Sequence, residues 1–255
     1  MVFIKFDLLG KRKAIIILEG YYELITKTVD SMELIEFEED IKINLNDALL
    51  IVDIQNDFIP GGALPVEEGD LLIDGINKLG DMFKKYSRNV ILTQDWHPQG
   101  HLSFASSHSG MNPFDEFQSK NGAIGPVLWP DHCVQGTQGA EFHDDLNTEL
   151  ASLIIRKGRN LKVDSYSAFL ENDKKTETGL AGYLKSIKIK RIFICGLALD
   201  YCCYFTAIDA VDFDFDVYLI IDLTRGIDLP PGNVSSSVEN MNIKGIKFAN
   251  TESFK

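Results

Sequence analysis

Short, wholly apolar runs separated by amphipathic stretches are the feature that most restricts how this chain can fold. Ala48-Leu49-Leu50-Ile51-Val52, Val90-Ile91-Leu92, Leu153-Ile154-Ile155, Arg191-Ile192-Phe193-Ile194-Cys195 and Val217-Tyr218-Leu219-Ile220-Ile221 have strand length and no polar alternation. A strand that is apolar on both faces must be covered on both faces, which is the condition of a parallel sheet layered by helices. Between these runs apolar residues return at helical spacing, as Leu71, Leu72, Ile76, Leu79, Met82 and Phe83 do, and later Leu180, Tyr183, Leu184 and Ile187. A further helix is expected from about Tyr201 to Phe213, and Ile246-Lys247-Phe248 reads as a last edge strand. The pattern predicts an α/β fold of three αβα layers around a mostly parallel sheet.

In such sheets ligands bind outside the carboxyl ends of the strands. The residues just past the apolar runs are therefore the chemical candidates: Asp53, Asp95 with His97, Lys157, and Cys202. Two segments break the pattern. Residues 98–150 hold no clear regular element and are rich in Gly, Pro, Ser and Asn; a structureless stretch of that length inside a compact domain is usually functional. Residues 1–46 precede the first clear strand, carry an acidic patch at Glu36, Glu38, Glu39 and Asp40, and are expected to add a hairpin or helix. The division expected is an N-terminal extension, 1–46, and one domain, 47–255, large enough to bury a core without disulfides.

Composition removes several functions. A formal charge of -13 opposes binding to nucleic acid or to an anionic membrane surface. The longest apolar runs, such as Ala14-Ile15-Ile16-Ile17-Leu18, are too short to span a bilayer, and no secretory leader is expected. Cys133, Cys195, Cys202 and Cys203 form no Cys-x-x-Cys pair and read as reduced thiols, which places the chain in the cytoplasm with the nucleus left open.

All five histidines fall between His97 and His143. Asp95 and His97, two apart at a strand end, project to one face, and His132 offers a third ligand for a divalent metal. His101 is a fourth candidate, as a ligand or as a partner orienting one. Zinc, iron and manganese all suit such a set. Cys133 is a neighbouring thiol that packs or ligates. Cys202 follows a tight turn from strand to helix, where a thiol pKa is expected to fall and backbone N–H groups can hold an oxyanion. Asp53 could take the thiol proton, and Lys157 is a cation beside Gly158. Cys195 and Cys203 read as core residues.

Taken in order, these pieces resemble the nicotinamidase/pyrazinamidase family within the isochorismatase-like cysteine hydrolases. The resemblance runs from about Asp47 to Thr224. It rests on Asp53-Ile54-Gln55-Asn56-Asp57-Phe58, Asp95-Trp96-His97 with His101, Trp129-Pro130-Asp131-His132-Cys133, Lys157-Gly158, Asp164-Ser165-Tyr166-Ser167, and Gly196-Leu197-Ala198-Leu199-Asp200-Tyr201-Cys202. It implies a cysteine amidase that hydrolyses nicotinamide to nicotinate and ammonia in NAD salvage, with pyrazinamide as a second substrate. Cys202 would be the nucleophile, Asp53 the base and Lys157 the cation that holds the pair charged. The N–H groups of Ala198, which follows a cis peptide in the family, and of Cys202 would hold the oxyanion. Asp95, His97 and His132 would hold the metal, zinc before iron or manganese, which seats the pyridine nitrogen. Phe58 and Trp129 would sandwich the ring, Asn56 would support the metal's surroundings, and self-association is a family expectation. The extension 1–46 and Cys203 depart from the pattern. Three other readings stay open: a metal-hydroxide hydrolase with a structural Cys202, an inactive metal-binding or redox module, and a metal-independent amidase for another small amide.

Overall fold

The structure, a computed structural model, describes residues 2–6, 12–16 and 36–255. Two antiparallel strands, β1 (Val2–Phe6) and β2 (Arg12–Ile16), form a sheet of their own, so the strand alternative for the N-terminal segment holds over those residues. The rest of the expectation for that segment lies outside the described residues as far as residue 35. Residues 36–46 run along the domain: Glu38 N–H donates to Phe248 O at 2.9 Å and Ile41 N–H to Ser253 O at 2.8 Å.

The main sheet has six parallel strands in the order β5-β4-β3-β6-β7-β8. They are β3 (Asp47–Val52), β4 (Val90–Asp95), β5 (Leu153–Lys157), β6 (Arg191–Leu197), β7 (Asp216–Arg225) and β8 (Lys247–Ala249). Every residue of β3 and β4 is buried, which a strand achieves only when both faces are covered. From β3 the chain winds outward through β4 to β5, then returns to β6 beside β3 and winds the other way through β7 to β8. Right-handed crossovers in opposite directions put their helices on opposite faces. Helix α1 (Ile73–Tyr86) connects β3 to β4, whereas α3 (Tyr204–Asp212) and α4 (Asn233–Ile243) connect β6 to β7 and β7 to β8. The winding reverses between β3 and β6, and at that point the loops after both strands splay apart to leave a crevice.

Helix α1 buries Ile73, Ile76, Leu79, Gly80 and Phe83, the stripe expected from its spacing. The short α2 (Leu180–Ser186) also falls where expected. Two elements depart from the sequence reading. The helix expected from Tyr201 begins earlier, as a π-helical turn over Leu199–Cys203 that passes into α3. Helix α4 has no counterpart in the reading, because its buried Val238 and Met241 are interleaved with Ser and Asn of low helix propensity. Residues 98–150 contain only three-residue 3-10 turns and isolated bridges, as expected. No helix among the described residues is long and apolar enough to cross a membrane.

At the amino end of the sheet the fully buried Asp47 carboxylate receives Arg191 Nε at 2.8 Å, Arg191 Nη2 at 2.7 Å and Asn44 N–H at 2.7 Å. This bidentate pair ties β3 to β6, the two strands that flank the crevice. Asp47→Ala should lower the unfolding free energy by about 3 kcal/mol, the cost of leaving one partner of a buried pair uncompensated. Urea denaturation checks it; a change under about 0.5 kcal/mol would show that the pair contributes nothing net.

Candidate active site

Each chemical residue arrives at the crevice because its strand ends there. Asp53 follows β3 at φ 47, a left-handed conformation that aspartate tolerates better than bulky residues do. Its Oδ1 accepts from Thr93 Oγ1 at 2.6 Å. Asp95 and Lys157 are the last residues of β4 and β5 and are register partners. Leu197–Ala198 is a cis peptide at the end of β6. In the following turn the N–H groups of Tyr201 and Cys203 both reach Ala198 O, at 3.1 and 3.0 Å, which pins the backbone on either side of Cys202.

The Lys157 ammonium is the hub. It lies 2.8 Å from Asp53 Oδ2 and 3.2 Å from Asp95 Oδ1, and donates to Cys202 Sγ at 3.3 Å and Ser165 O at 3.1 Å. Burial works against its charge, but Asp53, Asp95 and Cys202 outweigh that and hold its pKa well above the lysine value. Burial raises the Asp53 carboxyl, Lys157 pulls it back, and Asp95 adds to the rise; the balance lies above the usual aspartate value. Burial also pushes the Cys202 thiol well up, against the pull of Lys157. That reverses the expectation of a lowered thiol pKa, because burial beside two carboxylates outweighs the helix terminus and the ammonium. Asp53 and Asp95, both close to the sulfur, add to that rise.

Asp95, His97 and His132 converge on one point. Asp95 Oδ2 lies 3.0 Å from His97 Nε2 and 3.6 Å from His132 Nε2. The other nitrogens, Nδ1 of His97 and His132, face the carbonyls of Gly158 at 3.0 Å and Pro130 at 2.8 Å. A carbonyl only accepts, so each Nδ1 carries the proton and each neutral ring turns a lone pair inward. Three acceptors facing one another call for a cation, and their spacing matches ligands sharing one ion at about 2.0–2.2 Å. Without an ion the same convergence draws a proton: burial opposes the His97 imidazolium, Asp95 favours it, and its pKa lies above the histidine value.

His101 is not part of that convergence. Its ring packs on His97 with centroids 4.4 Å apart, its Nε2 faces Asn160 O at 2.8 Å, and its Nδ1 meets Ser103 Oγ at 2.7 Å. Both nitrogens are engaged, so it supports the His97 ring. Cys133 is fully buried, and burial raises its thiol pKa well above the usual value. Asn56 turns away and donates to Gln138 O.

Between the two halves lies a narrow slot whose lining includes Phe58, Trp129, His132, Asp95, Ala198 and Cys202. Trp129 is locked by Nε1 donating to Tyr166 Oη at 3.0 Å and by an edge contact with Tyr201 at 4.9 Å. Five further lining residues, Leu64, Asp164, Tyr166, Tyr201 and Ile227, have no role legible in the sequence. Asp164, Tyr166 and Tyr201 sit within the motifs that carry the resemblance, which is their only signal. The arrangement therefore brings a thiol, a carboxylate, an ammonium and a set of possible metal ligands together around one slot.

The sequence matches the family model described as the isochorismatase domain over residues 47–253. It is 48% identical over 202 residues to a nicotinamidase of Acinetobacter baylyi, covering 79% of this chain and 91% of that protein. Among solved structures, an Acinetobacter baumanii nicotinamidase/pyrazinamidase superposes with a TM-score of 0.78 at 46% identity, covering 82% of this chain and 98% of the other. A Pyrococcus horikoshii pyrazinamidase, solved in complex with zinc, gives a TM-score of 0.64 at 37% identity over 80% of this chain and 99% of its own. The chain belongs to the isochorismatase family. Within that family these three relatives are nicotinamidases or pyrazinamidases.

Gly158 gives a direct test of the metal seat. At φ +67 a side chain is strained, and a Cβ there would lie 2.7 Å from His97 Nδ1 and 2.9 Å from Asp95 Oδ1. Gly158→Ala should weaken zinc binding by about 10- to 100-fold, the usual cost of disturbing a ligand's support. Competition with a chromophoric chelator measures it, with circular dichroism as the folding control; unchanged affinity would show that the ion sits elsewhere.

Proposed function

We propose that the chain is a nicotinamidase, a cysteine amidase that hydrolyses nicotinamide to nicotinate and ammonia, with pyrazinamide as a second substrate. The observation that carries this reading is the contact of Lys157 with Asp53, Asp95 and Cys202, of which Asp95 and Cys202 line a slot together with the aromatic side chains of Phe58 and Trp129. We assign the ring to the space between Phe58 and Trp129. A divalent ion held by Asp95, His97 and His132, zinc by the chemistry of the donor set, would supply a Lewis-acidic seat for the pyridine nitrogen.

Cys202 Sγ then attacks the carboxamide carbon as its proton passes to Asp53. The N–H groups of Ala198 and Cys202 receive the oxyanion; donors fixed in place before charge develops need no reorganisation. Asp53 returns the proton to the departing nitrogen, ammonia leaves, and a thioester to Cys202 remains. Asp53 next removes a proton from water, which attacks the thioester and releases nicotinate and the thiol. Lys157 stays protonated throughout and holds the carboxylate and sulfur together. The four free cysteines accord with a reducing compartment such as the cytoplasm.

Ammonia release from nicotinamide by the zinc-loaded protein is the first measurement. Cys202→Ala should abolish it, by on the order of a thousandfold or more, while leaving zinc affinity intact. Near-normal turnover in that variant would overturn the thiol mechanism in favour of a metal-bound nucleophile. Chelator should suppress release by the native protein and zinc should restore it; chelator-resistant release would point to a metal-independent amidase.

The pH profile carries the sign of the Asp53 shift. Asp53 must be ionised to accept the thiol proton, so activity is lost as pH falls through its pKa. The acid limb of kcat/KM should lie above the ordinary aspartate value of about 3.9. Lys157→Met removes the charge that favours the ionised form and should move the limb to higher pH with lower activity. An acid limb that stays in place in this variant would exclude Asp53 as the base.

A further inference from the structure

The remaining wall of the slot comes from a segment that no motif in the sequence singled out. After β7 ends at Arg225 the chain forms a strap, residues 226–232, before α4 begins at Asn233. Ile227 of this strap lines the slot together with Phe58, Trp129 and Cys202. The strap is hung from the turn that carries the nucleophile. The Asp200 carboxylate, 1% exposed, accepts through Oδ1 from Ile227 N–H at 2.9 Å. Through Oδ2 it accepts from Asp228 N–H at 2.9 Å and from Asn233 Nδ2 at 3.0 Å. One residue on, Tyr201 donates its hydroxyl to Leu229 O at 2.6 Å. At Gly226 an added Cβ would lie 3.1 Å from Asp200 Oδ1, so the strap passes close against the carboxylate.

An aspartate is the residue type these bonds require. Three donors meet two carboxylate oxygens, and the ion offers only acceptors. Asparagine would turn an NH₂ group toward Ile227 N–H or toward Asp228 N–H and Asn233, setting donor against donor and leaving a buried group unpaired. The change would be felt at Ile227, the strap residue that lines the slot. Hydrogen bonds from the strap and α4 absorb both oxygens of Asp200, which places this residue behind the wall and away from the reacting atoms.

We propose that Asp200 is a positioning residue that sets the ring size the site accepts, by holding Ile227 against the slot from the nucleophile's own turn. The substrates favoured are unsubstituted pyridine and pyrazine carboxamides over ring-alkylated ones. The proposal rests on the amidase reading above and adds the part of the molecule that enforces its selectivity. Since Asp200 acts through Ile227, loosening either should relax the same discrimination, and the two changes should not add.

The test compares the zinc-loaded native protein, Asp200→Asn, Ile227→Ala and the double variant, using nicotinamide and 5-methylnicotinamide. In Asp200→Asn the KM for nicotinamide should rise about tenfold, with a much smaller change in kcat. The ratio of kcat/KM for the methylated over the plain substrate should rise about tenfold in each single variant, the scale on which one methyl group is discriminated. The double variant should go no further than the larger single effect. Equal losses for both substrates in Asp200→Asn, or full additivity in the double variant, would overturn the proposal. If Asp200→Asn fails to fold, Asn233→Ala removes one of the three bonds at a partly exposed position and should shift the ratio in the same direction. An unchanged ratio there and in Ile227→Ala would overturn the proposal as well. If the native protein releases no ammonia, it is the amidase reading that fails. The wall is then read from the relative Kd of nicotinate and 5-methylnicotinate by tryptophan quenching, where an unchanged ratio in Ile227→Ala defeats the proposal.

Discussion

A buried ammonium held between two carboxylates is the interaction on which the site depends. Lys157 is 2% exposed and Asp53 and Asp95 are 0% and 4% exposed, so none of the three charges is solvated by bulk water. Taking such ions out of water costs several kcal/mol each, and only close mutual contact offsets it. The arrangement therefore tolerates no missing partner. It also explains why the thiol and the metal ligands share one slot. Lys157 touches Cys202 and Asp53 on one side and Asp95 on the other, so moving either half would leave the ammonium short of a counter-charge. The group around Cys202 and the group around His97 and His132 are joined through Lys157 and Asp95.

The sheet makes that contact possible. Parallel strands end on the same side, and the order β5-β4-β3-β6 sets Lys157, Asp95, Asp53 and the Ala198–Cys202 turn at four consecutive strand ends. Adjacent strands are about 4.8 Å apart, so side chains from neighbouring ends meet without any long loop. The Lys157–Asp95 contact joins register partners, whereas Asp53 and Cys202 are brought in across the point where the winding reverses. The loop of residues 98–150 adds His132 and Trp129 from above and is tied down by its own bonds, such as Trp129 N–H to Ser103 O at 2.8 Å.

What could be read from the sequence follows from this division. The placement of Asp53, Asp95 and Lys157 at strand ends was legible because each lies within three residues of an apolar run, and strand ends are where such sheets bind ligands. His97 and His132 were legible from histidine clustering and spacing, with the resemblance adding the ring walls Phe58 and Trp129. The thiol pKa was misread, because a helix terminus is visible in a sequence whereas full burial beside two carboxylates is not. Spacing alone does not separate the two roles open to His101, because the bonds that engage both its nitrogens are tertiary. Ile227 and Asp200 were assigned no role because their part depends on a contact between a turn and a strap some 27 residues apart. The π turn and α4 were missed for a related reason: tertiary bonds, rather than propensity, define them.

Charge balance gives the last link between the fold and its metal. Asp53, Asp95 and Asp164 are all buried around the slot, with Lys157 the one buried ammonium among them. Counted as ionised, three carboxylates against one ammonium leave an excess of two negative charges, which a low-dielectric interior strongly disfavours. A divalent cation cancels that excess, whereas one proton on His97 cancels only half of it. The metal seat thus answers a need set by the same carboxylates that anchor Lys157. A cation held by Asp95, His97 and His132 would also offset the negative potential at Asp53 and Cys202, so in the proposed mechanism its loading would bear on the base and the thiol. In the proposed mechanism, the thiol's base and the metal's ligands would draw on one set of buried charges.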